Sequence, residues 1–178
     1  MTDGTRQSSA FGLLCLLTLL GATTMSAAPG PTAREALAKA KPSAQAWYAD
    51  AILHQITSTE LSTDGTLTGE ATSLWHIHFF SPSAESFYTV IVGPTVIGVP
   101  RKAGSARPIE EDFVDSSRAV AAAKQDGFVP KGKINMALTD AMWPGAKKPS
   151  LVWTIRDQAD PTKVWYVDPK TGNVVGRK

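Results

Sequence analysis

The stretches Ser73–Phe80, "SLWHIHFF", and Leu151–Asp157, "LVWTIRD", decide how the chain is read. Laid over one another at a spacing of 78 residues without a gap, Trp75 falls on Trp153, Ile77 on Ile155, Tyr88 on Tyr166, Val96 on Val174 and Gly98 on Gly176. Leu74 also meets Val152, Phe87 meets Trp165, Ile97 meets Val175 and, upstream, Ile56 meets Ile134. The matches fall on the apolar, alternating positions that a half-buried strand turns inward. Self-similarity at a fixed spacing marks a repeated unit. The chain therefore reads as a tandem duplication.

Each copy opens with a helix. In the second, Asp115 and Ser116 cap the alanine-rich "SRAVAAAKQD", and Gly127 stands where a left-handed cap closes the end. In the first, the helix runs from about Thr32 towards Tyr48, and Pro42 is expected to kink or split it. Strands follow in both: "AILHQITSTEL" and "KINMAL", then the two opening stretches, then "SFYTVIV" and "KVWYVD", then "TVIGV" and "NVVG". In "VDPKTGNVV", Pro169 presets one turn dihedral and Gly172 supplies a positive φ, so Val167 and Val174 flank a tight hairpin. The expected fold class is α+β, with two tandem units, each a helix on an antiparallel sheet of three to four strands. The boundaries are residues 29–99 for the first unit, 100–109 for a Pro- and Gly-rich linker and 110–178 for the second unit.

Residues 1–28 read as a secretory signal: Arg6, the apolar run "AFGLLCLLTLLGA" and the small residues "TTMSAAPG". Cleavage after Ser26 or Ala28 fits, and Leu13 and Leu14 before Cys15 argue against a lipid anchor. The mature chain is then free of cysteine, has no membrane span and resides in the bacterial periplasm or outside the cell. The 178 residues are 43% hydrophobic and carry a formal net charge of +2. That charge, with Lys and Arg scattered, gives no footprint for nucleic acid.

The second copy, "DSSRAVAAAKQDGF…LVWTIRDQADPTKVWYVDPKTGNVV", resembles the PepSY family over Asp115 to Val175. These are small extracytoplasmic modules, also found in the propeptides of secreted metallopeptidases. The resemblance rests on the capped helix (Asp115, Ala119, Ala122), on Trp153 and Ile155, and on the hairpin Tyr166, Val167, Asp168, Thr171, Gly172, Val174. The first copy lacks the D-x-x-T-G element and reads "VIVGPTVIGV" instead. The resemblance implies a cystatin-like helix-on-sheet fold, no catalytic residues, and a role in holding or inhibiting hydrolases.

The loudest chemistry is His76-x-His78, joined by His54 as the remaining histidine. Two histidines on one strand face can chelate zinc, but a catalytic site wants a third ligand and a base. The sister strand carries Thr154 and Arg156 instead, as an outward-facing pair would. A zinc-dependent enzyme using His54, His76 and His78 is the weaker alternative, and no cofactor or metal is expected. The carboxylates Glu110, Glu111 and Asp112 read as a solvated helix approach. No serine-elbow, phosphate-loop or dinucleotide motif occurs. For a protein-binding surface the sequence singles out Trp143, Lys147 and Lys148 in the loop "DAMWPGAKKPS", then Asp168 and Lys170 in the hairpin. The reading is a non-enzymatic binder of a protein partner, a secreted or periplasmic hydrolase. A small-ligand-binding or envelope structural protein is the other reading.

Overall fold

A computed structural model describes Met1 and residues 29–178. The expected signal segment, including Cys15, lies outside these described residues apart from Met1. Thr32 sets the start of the first helix, α1 (Ala33–Trp47). Its hydroxyl accepts from the Glu35 N–H at 3.4 Å while the Glu35 carboxylate takes the Thr32 N–H at 2.9 Å. Ala33, Ala36, Leu37, Ala40 and Ala44 recur every three or four residues and bury one stripe. Pro42 does not split this helix. It and Ala38, whose carbonyl loses its donor, both lie on the solvent side, so the freed carbonyl is not left buried.

Four strands follow: β1 (Ile52–Thr59), β2 (Leu74–Ser81), β3 (Ser86–Val92) and β4 (Val96–Ala103). Helix α2 (Ser116–Gln125) comes next, capped by Asp115, and Gly127 leaves it at φ +92°. Then come β5 (Ile134–Ala141), β6 (Ser150–Asp157), β7 (Val164–Val167) and β8 (Val174–Arg177). The protein is α+β, and its strands form one antiparallel sheet in the order β4-β3-β2-β1-β5-β6-β7-β8. The sheet is thus one body of eight strands, larger than the three to four expected. The reason lies at its centre. β1 and β5 would each be an exposed edge of a four-stranded sheet, and pairing satisfies the free backbone groups of both. Ile56 faces Leu138 and Thr57 faces Ala137, and the buried Ser58 hydroxyl takes the Met136 N–H at 2.7 Å.

The segment expected as a linker over 100–109 is shorter, because Pro100–Ala103 continue β4 along the whole of β3. Beyond it the chain is strapped across the molecule. Gly104 N–H bonds the Glu85 carbonyl, Ile109 N–H the Leu53 carbonyl and Val114 N–H the Pro169 carbonyl. Glu111 pairs with Lys41, and Lys170 reaches both Glu110 and Asp112.

Both helices lie on one face of the sheet and close a shared core. At its centre the buried Trp75 and Trp153 meet edge-on, ring centroids 6.5 Å apart. Each indole N–H donates to the carbonyl just before its own helix cap: Trp75 to Pro31 at 3.0 Å, Trp153 to Val114 at 2.9 Å. The two helix N-termini adjoin. The Asp115 carboxylate accepts from Ser116 N–H at 2.7 Å and from Arg34 N–H of the other helix at 3.1 Å. The buried Ser116 hydroxyl takes the Ala33 N–H and donates to the Gly65 carbonyl. One anion thereby serves two positive dipole ends.

Candidate functional site

Among the described residues no helix covers the opposite face of the sheet. Register places one row of side chains across all eight strands there: Ile97, Ile91, His76, Thr57, Ala137, Thr154, Tyr166 and Gly176. The two ends of that row are treated differently. In the second half the β5–β6 loop folds over, so that Trp143 packs on Tyr166, centroids 6.5 Å apart, and lies against Gly176. Val152, Val164 and Tyr166 form a small second core beneath this cover. In the first half the corresponding loop, residues 60–73, turns the other way. Its Leu61 and Leu67 are buried in the helix-side core. The face above β3 and β4 stays bare: Ile97 is 53% exposed, and Ile91 and Val99 are partly exposed.

All three histidines belong to this bare half. His76 and His78 stack with centroids 6.4 Å apart, and His54 lies against Phe87 at 5.4 Å. They are half-buried rather than solvated, because neighbouring strands crowd them with Thr57, Thr89 and Ile91. One His78 ring nitrogen lies 3.2 Å from the Thr57 hydroxyl and the other 3.0 Å from that of Thr89. Burial, then the charges of His76, His54 and Arg101, hold its pKa down at about 4. Burial and Arg101 also lower that of His76. With both His78 nitrogens engaged by hydroxyls and His54 Nδ1 3.3 Å from the Arg107 carbonyl, the trio does not converge on a common point. No group of three His, Cys, Asp or Glu among the described residues is placed to hold a metal.

The residues singled out for partner binding fall in separate places. Trp143 is half-buried on its own sheet, and the exposed apolar residue of its loop is Met142. Lys147 and Lys148 are exposed beside it. Asp168 and Lys170 lie in the hairpin and serve the fold. The Asp168 carboxylate takes the N–H groups of Lys170 and Thr171, and the Lys170 ammonium clamps Glu110 and Asp112. The sequence reading missed Ile91, Ile97 and Val99, which it took as ordinary strand residues. A signal for them was present: none of β1 to β4 contains an Asp or Glu, whereas β5 and β6 carry Asp140 and Asp157.

The chain matches no protein-family model, no curated protein and no solved structure. The fold and site thus define a class only: an α+β protein with one helix-covered sheet face and one face bare over half its width.

Proposed function

We propose that this is a non-enzymatic protein-binding module of the periplasm or the secreted space, built from two PepSY-like units by tandem duplication. It occludes a secreted or periplasmic hydrolase. The bare face over β2, β3 and β4 carries the proposal. It presents Ile91, Ile97 and Val99 beside His76 and Arg101, and the four strands lack any carboxylate. An apolar, acidic loop of the partner enzyme complements that surface in charge and character. The second half supplies the precedent, since its equivalent seat is occupied by Trp143 from a loop of the same chain. The duplication is supported by the paired roles of Trp75 and Trp153 and by the order helix then four strands in either half.

A photo-crosslinking side chain at position 97, in the producing cell, tests this. The expected adduct is with a hydrolase whose activity falls when the purified protein is added, and Ile97→Asp removes that effect. An adduct yield at 97 no higher than at the helix-side position Lys124, or an inert captured enzyme, overturns it.

A further inference from the structure

The two halves differ at a second place, on the helix side of the sheet. In the first half Phe79 and Tyr88 face each other across β2 and β3, Trp47 stacks on Tyr88 at 4.9 Å and 9°, and Ser43 hydrogen-bonds its hydroxyl. This aromatic plug fills the space beneath the end of the fifteen-residue α1. In the second half Ile155 faces Trp165 as Ile77 faces Val90, and continuing that register puts Asp157 and Lys163 where Phe79 and Tyr88 stand. Helix α2 has ten residues and provides no counterpart of Trp47. The result is a cleft of about 190 Å³ lined by Phe128, Val129, Lys131, Asp157, Lys163 and Trp165, among others.

The polar groups there are uneven in their satisfaction. Asp157 accepts from the Lys131 and Ala159 N–H groups, and Asp160 accepts from Thr162 and pairs with Lys163 at 3.1 Å. Lys131 makes no ion pair among the described residues. Trp165 is 8% exposed, and its Nε1 is the one buried side-chain nitrogen or oxygen among the described residues without a partner. Among the described residues Asp157 makes no ion pair either, but both its oxygens accept N–H groups. What remains without a partner in the cleft is thus the Lys131 ammonium and the Trp165 N–H, beside the apolar Phe128 and a Val129 that is 79% exposed.

We infer that this cleft binds a carboxylate carried on an apolar or aromatic body. The anion pairs with Lys131, and the body packs on Phe128, Val129 and the Trp165 ring. The cleft is smaller than a drug-sized pocket, so it takes a fragment: a free small aromatic acid or the last residue of a peptide chain. Those two sources share the chemistry and are separable by probe.

Protein labelled with ¹⁵N at its five indoles is titrated with phenylacetate, N-acetyl-phenylalanine and N-acetyl-phenylalaninamide, following the Trp165 Nε1–H resonance. Saturable shifts with either acid are expected, and at least tenfold weaker response to the amide. Tighter binding of the N-acetyl amino acid assigns the site to chain ends, and tighter binding of phenylacetate assigns it to free acids. Lys131→Gln, on the surface, should weaken the acids about tenfold. Lys163→Tyr, which restores part of the first-half plug, should abolish saturation while the other indole resonances stay in place. Absence of a saturable shift, equal response to acid and amide, or indifference to Lys131→Gln overturns the assignment.

Discussion

The first half joins paired residues His78 and Thr89 through the ten residues 79–88, and the second joins Arg156 and Val164 through the seven residues 157–163. At the next hairpin the balance reverses. Val92 and Val96 enclose three residues, 93–95, while Val167 and Val174 enclose six, 168–173. The two changes cancel, so an overlay without gaps fails through β3 and β7 and agrees again at Val96 and Val174. It then slips by one residue past the β7–β8 bulge, where Gly176 answers to Ile97. An odd shift along a strand turns every side chain to the other face. Tyr88 therefore lies on the helix side against Trp47, and Tyr166, its match in sequence, lies on the opposite side under Trp143. Identical letters mark equivalent positions only where the register is shared, as for Trp75 with Trp153 and Ile77 with Ile155.

The hardest way to break the comparison is to remove those shared tryptophans. Both are buried, and each holds the start of its helix through an indole–carbonyl bond. Trp75→Ala and Trp153→Ala should each cost about 3–5 kcal/mol. The β1–β5 ladder makes the sheet continuous, so the loss should appear in one cooperative urea transition with either substitution. A biphasic curve, with one half unfolding alone, would show the halves to be independent.

Acid separates the halves next. His78 has its counterpart in Arg156. At pH 7 His78 is neutral folded and unfolded. As pH falls through 6.5 the unfolded chain takes a proton that the folded site, with a pKa of about 4, refuses. Stability should fall between pH 6.5 and 4 by up to about 3 kcal/mol and then level, as far as this group is concerned. Denaturation midpoints measured against pH should show this decline in the wild type and lose most of it in His78→Gln. An unchanged slope would remove His78 from the account.

Much of this was legible in the chain. Capping residues Thr32 and Asp115, the break at Gly127 and the period-two strands follow from local chemistry, and the elements stand where those residues put them. The joining of both halves into one sheet was not legible, because the bond between β1 and β5 depends on two edges meeting in space. The bare face was hidden for a related reason. Ile91 and Ile97 alternate like core residues, and only the path of the 60–73 loop, turned inward at Leu61 and Leu67, leaves them uncovered. Trp143 read as a loop residue that either anchors a partner or folds back on its own sheet, and nothing local announced Gly176 as the place it folds to.

The shared helix cap offers a finer test. Thr32 serves one helix, whereas the Asp115 carboxylate takes N–H groups from both. Thr32→Ala should cost about 1 kcal/mol and Asp115→Ala about 2 kcal/mol, by denaturant unfolding. Equal losses would mean that the Arg34 contact adds nothing across the junction between halves.

The smallest effect on stability carries the sharpest statement about the two faces. Gly176 lets the indole of Trp143 lie against the strand, and a Cβ there would come within 2.8 Å of its Cδ1. The register that puts Gly176 at one end of the outer row puts Ile97 at the other. Gly176→Ala should displace a surface loop and so cost under about 1 kcal/mol. It should also increase acrylamide quenching of Trp143, measured in a background where the effect vanishes with Trp143→Phe. Quenching that does not change would mean the indole is held by Tyr166 alone. In that case the presence of isoleucine instead of glycine at the first-half seat would not explain why that seat is bare, and the inward path of the 60–73 loop would carry the whole difference.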